Sequence, residues 1–158
     1  MAEVKTNAVR IVETHGISYT LHSYPCKEAI DGVTVAGKLG ADVKCVFKTL
    51  VTQGKSGAYF VFVIPAAEEL DLKKAARSVG EKAVAMIPVK DINKVTGYVR
   101  GGCSPVGMKK AYVTRIHSSA EPLPAIFVSA GRIGQQMELN PVELAGIANA
   151  QFDDLIMG

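Results

Sequence analysis

The stretch CVFKTLVTQGKSGAYFVFVI, residues 45–64, decides the fold. Its two apolar runs flank a short turn that contains glycine, a pattern typical of an antiparallel hairpin. Side chains alternate faces along a strand, so Val46, Lys48 and Leu50 share one side of the first run. A lysine is rarely buried without a partner. Either Lys48 extends its ammonium into water at a sheet edge, or it lines a pocket and holds a phosphate or carboxylate.

Helical and strand patterns follow one another along the rest of the chain. Apolar periodicity and capping residues predict helices at Thr6–His15, Thr34–Leu39, 70–80 and 88–97, and another that begins at Asn140 and Pro141. Further strands are predicted at 17–24, 82–87, 111–116, 125–130 and 151–157. These patterns indicate an α/β or α+β fold. We expect one domain over residues 1–158, with a mixed, strongly curved, barrel-like sheet surrounded by helices.

Composition narrows the class of protein. The chain has 158 residues, of which 48% are hydrophobic and 21% charged, an ordinary globular balance. No apolar run reaches the roughly 18 residues that span a bilayer, and the N-terminus lacks the apolar core of a signal peptide. We therefore expect a cytoplasmic protein that does not bind membranes. Three well-separated cysteines, Cys26, Cys45 and Cys103, and three scattered histidines predict free thiols, no metal site and no cofactor.

Positive charge is concentrated in the first three quarters of the chain. Residues 1–118 hold 17 Lys and Arg against 10 Asp and Glu, a net charge of +7. Residues 119–158 hold Arg132 against five acids, a net charge of −4, which returns the total of +3. This balance permits a phosphate-bearing ligand. The sequence has no helix-turn-helix or basic arm, so we expect no sequence-specific DNA binding.

The segment GYVRGGCSPVGMKK, residues 97–110, is rich in glycine. Glycines let a backbone approach a ligand and let successive N–H groups converge on an anion or a carbonyl oxygen. Ser104 adds a hydroxyl, and Lys109 and Lys110 add positive charge. The pattern matches no nucleotide-binding loop, and a tight surface turn with solvated lysines explains it equally well.

Other candidate residues lie at strand ends and on the strand next to Lys48. The stretch SAGRIG, from Ser129 to Gly134, follows an apolar strand, where small residues either make room for a ligand or form a plain turn. His22 and Tyr24 are candidates for the same pocket as Lys48. Cys103 has no neighbour in sequence that could serve as its general base, which argues against a nucleophilic role.

Four motifs in order carry a resemblance to a known family. VFKTLV, LDLKKAARSVG, TGYVRGGCSPVGMKK, and IFVSAGRIG followed by MELNPVELAGI are similar to the YbaK/EbsC family over about residues 4–155. That family consists of free-standing aminoacyl-tRNA deacylases related to the editing domain inserted in bacterial prolyl-tRNA synthetase. The resemblance implies a trans-editing enzyme that clears mischarged Cys-tRNA(Pro), with Cys-tRNA(Cys) as a further candidate substrate.

The resemblance also implies roles for individual residues. Lys48 would face the active-site pocket and contact the 3′ end of the charged tRNA, and the backbone of Gly101 and Gly102 would lie beside the aminoacyl ester. The remaining pocket residues would be His22, Tyr24, Ser104, Ser129 and Gly131. Some relatives carry an acidic residue where this chain has Gln136, and relatives often carry an apolar residue where it has Cys103.

In the cysteine-specific branch, the resemblance implies that the thiol of the substrate attacks its own carbonyl, so the enzyme contributes positioning and backbone N–H groups. Prolyl-tRNA synthetase is a candidate partner.

Two alternatives stay open from the sequence. The pocket could prefer Ala-tRNA(Pro) or another small aminoacyl-tRNA, because one methylene changes binding by only about 1–3 kcal/mol. The protein could also be a non-catalytic regulatory or binding protein of the same fold.

Overall fold

A computed structural model of the chain describes residues 5–25 and 31–158, so Cys26 lies outside the described residues. The helices are α1 (Asn7–Thr14), α2 (Gly32–Leu39), α3 (Leu72–Ser78), α4 (Ile92–Thr96) and α5 (Pro141–Ala148). The strands are β1 (Tyr19–Ser23), β2 (Phe47–Gly54), β3 (Tyr59–Pro65), β4 (Val84–Met86), β5 (Val113–His117), β6 (Ile126–Ser129), β7 (Gln135–Leu139) and β8 (Gln151–Asp153).

The predicted caps begin the first and last helices. The Thr6 side chain accepts a hydrogen bond from the Val9 N–H at 3.2 Å, and Asn140 Oδ1 accepts from the N–H groups of Val142 and Glu143. These bonds satisfy N–H groups that have no partner inside the helix. Asp71 caps α3 in the same way.

The strands form two sheets, which corrects the single barrel-like sheet of the prediction. The three-stranded sheet has the order β1-β7-β6 and is antiparallel, and the five-stranded sheet has the mixed order β4-β2-β3-β5-β8. Both orders end on different strands, so neither sheet closes on itself. The predicted β2–β3 hairpin is confirmed, with Lys48 opposite Ile64 and Val51 opposite Val61. Strand β7 was not predicted.

Strand β3 lies at the centre of the larger sheet and is buried on both faces. Val61, Phe62, Val63 and Ile64 are all fully buried. On one face, Phe62 and Ile64 pack in a cluster with Ala75 and Ala76 of α3. On the other face, Val63 belongs to the main core, to which α1 and α5 contribute. In the described part of the chain, no helix is long and apolar enough to span a membrane.

Candidate active site

One edge of strand β2 is paired by described residues only near its two ends, with β6 at the start and with β4 at the finish. It pairs with β3 along one side, whereas on the other side Val46 forms a parallel bridge to Phe127 and only residues 52–54 pair with β4. Among the described strands, none pairs with residues 47–50 on that side. A cavity of about 410 Å³ opens at this unpaired part of the edge, which we call the β2 fork. Because an open strand edge exposes both faces, side chains from both faces of β2 line the cavity.

The described part of the cavity wall is largely apolar, and its charged residues are cations. Its apolar members include Val35, Phe47, Leu50, Val51, Met86, Ile87, Val89 and Ile92. The two charged lining residues are Lys48 and Arg100, and no described Asp or Glu lines the wall. Neither cation forms a salt bridge with any described residue. An apolar pocket with unneutralised cations suits a ligand that joins an apolar group to a phosphate or carboxylate.

Lys48 and Ser129 approach the cavity from adjacent strands. The parallel bridge between Val46 and Phe127 directs β2 along β6, so two residues further along both strands Lys48 and Ser129 follow. Both line the cavity, and Lys48 is half-buried. Lys48 therefore belongs to a pocket wall and also reaches solvent, which combines the two explanations offered by the sequence.

Gln136 places an unpaired polar atom in the wall. It lies opposite Ser129 on one side and His22 on the other in the three-stranded sheet. The side chain is 6% exposed, its Nε2 lies 3.5 Å from the Tyr24 hydroxyl, and its Oε1 has no hydrogen-bond partner among the described residues. The Thr49 hydroxyl, also in the wall, is buried and similarly unpaired. Burying such atoms unpaired costs roughly 1–3 kcal/mol each, a cost that a bound polar ligand would offset.

His22 and Tyr24 lie beyond the wall rather than in it. His22 Nε2 lies 2.9 Å from Glu138 Oε1, and its ring packs against Phe127 with a centroid distance of 5.1 Å. Tyr24 contacts the wall through Gln136. The lining residues include neither of them, and their contact with the substrate stays a prediction.

The glycine pair divides into one lining residue and one packing residue. Gly101 lines the cavity at φ 83°, and the Gly102 N–H donates to the Val99 carbonyl at 2.9 Å. These features match a type II turn over residues 99–102, which requires a positive φ at its third position. The Gly102 N–H is thus already paired with a backbone carbonyl in this structure, and the role of the glycine pair beside the ester stays a prediction. Of the glycine pair, Gly101 is the member that presents backbone to the cavity.

Gly102 is needed for close packing. A Cβ added there would lie 2.9 Å from Ile133 N and 3.0 Å from Arg132 C, both backbone atoms that cannot rotate away. We expect Gly102→Ala to lower the free energy of unfolding by about 1–3 kcal/mol, measured by urea denaturation. The matched control is Gly146→Ala in α5, where an added Cβ meets nothing within 4 Å. That variant should be stabilised by roughly 0.5–1 kcal/mol. Equal stability of the two variants would contradict this packing role.

Ser104 and Gly131 also support the site from outside the wall. Ser104 is fully buried, and its hydroxyl accepts from the Val106 N–H at 3.3 Å. Gly131, at φ 98°, donates its N–H to the Ser129 hydroxyl at 3.1 Å. The structure therefore places Ser104 in the loop interior and Gly131 beside Ser129, and neither is among the residues that line the cavity. Their predicted contacts with the substrate stay predictions.

Cys103 lines the cavity, but its chemistry is suppressed. Burial raises the pKa of the Cys103 thiol to about 11, so the thiol stays protonated near neutral pH. No described histidine, aspartate or glutamate lines the wall to serve as its base. The described lining residues therefore offer positive charge, backbone and polar side chains, but no conventional nucleophile–base pair.

Sequence reasoning missed several residues of the wall. Arg100 lies in the glycine-rich segment, and its position beside Gly101 could have identified it as a candidate wall residue. The apolar wall from β4 and the following turn, Met86, Ile87 and Val89, resembles ordinary strand and turn sequence. Nothing in the sequence distinguishes Thr49 from any other strand threonine.

Comparisons with known proteins identify the family of the chain. Residues 27–147 match the model of the aminoacyl-tRNA editing domain. An Enterococcus faecalis protein named "Putative Cys-tRNA(Pro)/Cys-tRNA(Cys) deacylase EbsC" is 44% identical over 152 residues, which cover 96% of this chain and 93% of that protein. A Fervidobacterium nodosum proline–tRNA ligase is 34% identical over 83 residues, 52% of this chain but 14% of the ligase.

A solved structure described as "a putative trans-editing enzyme for prolyl tRNA synthetase" is similar over nearly the whole fold. It superposes with a TM-score of 0.85 at 26% identity, covering 99% of this chain and 100% of that one. The family model covers more than half of the chain, and the E. faecalis protein matches nearly all of it. The resemblance in the four sequence motifs is thereby confirmed, and the chain belongs to the aminoacyl-tRNA editing domain family.

Proposed function

We propose that the protein is a trans-editing deacylase that clears Cys-tRNA(Pro) in the cytoplasm. The observation that carries this proposal is the cavity that joins Lys48, Arg100 and Gly101 in one wall, with no carboxylate or histidine among its described lining residues. Family membership supports the reaction class, and the name of the E. faecalis relative supports the cysteinyl substrate. Cys-tRNA(Cys) is included in that relative's name and is a further candidate substrate.

The wall suggests how a charged tRNA end would bind. Lys48 and Arg100 would hold phosphate of the 3′ end, because both cations lack a partner among described carboxylates. The Gly101 backbone would approach the ester carbonyl, where an N–H group stabilises negative charge as it develops. Gln136 Oε1, buried and unpaired, would accept a hydrogen bond from the amino group or a ribose hydroxyl of the substrate.

None of the described lining residues is an Asp, Glu or His that could act as a base, which favours a reaction in which the substrate supplies its own nucleophile. The cysteinyl thiol attacks the ester carbonyl carbon, so a C–S bond forms and the C–O bond to the ribose breaks. The thiol proton passes to the departing ribose oxygen, and the products are a cyclic thiolactone and free tRNA. Holding the thiol and the carbonyl carbon in alignment raises the effective concentration of this nucleophile and lowers the barrier to attack. The protein then contributes alignment and electrostatic stabilisation.

A panel of charged tRNAs tests the proposal. Purified protein is incubated with Cys-tRNA(Pro), Ala-tRNA(Pro) and Pro-tRNA(Pro), and the remaining ester is followed with time. We expect rapid loss of the cysteinyl ester and stability of the prolyl ester. Preferential loss of the alanyl ester would replace the cysteine assignment by a small-amino-acid specificity. Stability of all three esters, together with tight binding of another partner, would instead support a regulatory protein of this fold.

Association with prolyl-tRNA synthetase is part of the proposal. The 83-residue match to a proline–tRNA ligase relates this chain to one segment of that enzyme. A single domain of this size offers little surface with which to read an anticodon, so a synthetase partner would supply tRNA selection. Selection of Cys-tRNA(Pro) over Cys-tRNA(Cys) should sharpen when the synthetase is added. Unchanged selection at saturating synthetase would remove the partner from the account.

Replacing Cys103 should leave the reaction nearly intact. The thiol has a pKa of about 11, so only about one molecule in 10⁴ carries the thiolate at pH 7. We expect Cys103→Ala to retain kcat/KM for Cys-tRNA(Pro) within about threefold, since removing a buried sulfur mainly alters packing. The urea midpoint of the variant serves as the control for folding. A loss of several hundredfold in a folded variant would assign the nucleophile to the enzyme.

A further inference from the structure

A surface beside the cavity carries an excess of positive charge. Residues 89–110 contain five cations, Lys90, Lys94, Arg100, Lys109 and Lys110, against Asp91, so the segment has a net charge of 5 − 1 = +4. All five cationic side chains are exposed. This excess is larger than the net charge of +3 of the whole chain. We call these five side chains the basic rim.

Contacts join two members of the basic rim, Lys94 and Lys109, and the segment that carries the rim also lines the cavity. Lys109 Nζ donates to the Lys94 carbonyl at 3.2 Å, and the Lys109 N–H donates to the Thr96 carbonyl at 3.0 Å. The same segment supplies Val89, Ile92, Arg100 and Gly101 to the cavity wall. The rim is therefore continuous with the wall that would receive the end of the tRNA.

Salt bridges within the described residues neutralise little of this positive charge. Lys94 lies 3.8 Å from Asp91, and the other four rim cations form no salt bridge with any described residue. Clustered like charges destabilise a fold through repulsion, so stability does not account for the rim. An RNA backbone next to a bound 3′ end carries regularly spaced phosphates, which exposed lysines neutralise with release of counterions.

We propose that the basic rim binds the phosphate backbone of the tRNA acceptor stem while the 3′ end occupies the cavity. This inference rests on the proposed function and adds the surface that holds the rest of the substrate. The contacts are to phosphates and carry no base readout, so they strengthen binding of any acceptor stem. Discrimination among tRNAs would then come from elsewhere.

Charge-neutral variants of the rim test the proposal. Lys90→Gln with Lys109→Gln is compared with Lys73→Gln with Arg77→Gln on α3, two exposed cations that lie outside both the rim and the cavity wall. Both pairs remove two positive charges. The Kd of tRNA(Pro) is measured by fluorescence anisotropy across a series of salt concentrations. We expect the rim pair to raise Kd at least about 10-fold at 0.1 M salt and to lower the slope of log K against log salt by about 2. The α3 pair should lower the slope by less than about 0.5.

A short substrate separates this inference from the proposed function. Cysteinyl-adenosine 5′-phosphate reaches the cavity but has no acceptor stem, so the rim variants should cleave it within about twofold of the unmodified protein. Equal salt slopes for the two charge pairs would overturn the role of the rim. Failure of the unmodified protein to cleave either ester would instead overturn the proposed function. Because the Lys109 stem covers Gly97, Lys90→Gln with Lys110→Gln provides a second rim pair that leaves this contact in place.

Discussion

Replacing the substrate thiol by a hydroxyl, in Ser-tRNA(Pro), should slow deacylation by at least about 10³-fold relative to Cys-tRNA(Pro). The two esters differ by one atom, so their binding in an apolar cavity should be similar. A hydroxyl is far less acidic than a thiol and is a much weaker nucleophile near neutral pH. The cavity wall contains no described carboxylate or histidine that could activate a hydroxyl or a water molecule in its place. The measurement is single-turnover loss of each ester at saturating protein.

Competition provides the control for that comparison. Ser-tRNA(Pro) should inhibit cleavage of Cys-tRNA(Pro) with an inhibition constant close to the KM of the cysteinyl substrate. This result would place the difference in the chemical step rather than in binding. Comparable rates for the two esters would mean that the protein supplies the nucleophile or activates water, and the role assigned to the substrate thiol would be withdrawn.

Lys48→Met should reduce kcat/KM for Cys-tRNA(Pro) by about 30- to 150-fold. The expected loss corresponds to one hydrogen bond to a charged group, about 2–3 kcal/mol, and methionine preserves the apolar stem of the lysine. Lys48 has no described carboxylate partner, so removing its charge should leave no acid unpaired in the protein. The variant should therefore fold with nearly unchanged stability. Activity is measured with the same tRNA under single-turnover conditions.

Lys44→Met is the matched control for Lys48→Met. Lys44 lies four residues earlier, is exposed and is absent from the cavity wall, and its backbone N–H rather than its side chain bonds Asp42. It should change kcat/KM by less than about twofold, as expected for an isolated surface charge. If both variants lose the same activity, the effect is long-range charge, and a specific contact from Lys48 to the substrate is excluded.

Local patterns in the sequence were enough to predict most elements of the fold. The β2–β3 hairpin follows from two apolar runs around a glycine turn, and α5 follows from Asn140 and Pro141 at its start. Strand β7 was missed because it begins with Gln135 and Gln136, a polar pair that is nevertheless about 95% buried. Burial of a polar pair depends on a cavity built by distant strands. The two-sheet arrangement likewise depends on β7, which pairs with both β1 and β6.

The candidate site was predicted in part for a related reason. Lys48, Gly101 and Ser129 line one cavity, as the motifs suggested, although their catalytic roles stay predictions. Gly102 matches the same motif, yet it is glycine because backbone at Arg132 and Ile133 leaves no room for a Cβ. A glycine that faces a ligand and a glycine that permits close packing look identical in sequence. Only the bonding of the Gly102 N–H to the Val99 carbonyl separates them.

The most direct test of the account is a crystal structure with a non-hydrolysable substrate analogue. Cysteinyl-adenosine 5′-phosphate with an amide in place of the ester keeps the thiol, the amino group and the phosphate. We predict that its phosphate contacts Lys48 Nζ or Arg100, and that its carbonyl lies beside Gly101 with the cysteinyl group between Ser129 and Gln136. Binding outside the cavity at the β2 fork, or inside it with the phosphate turned away from both cations, would contradict the account.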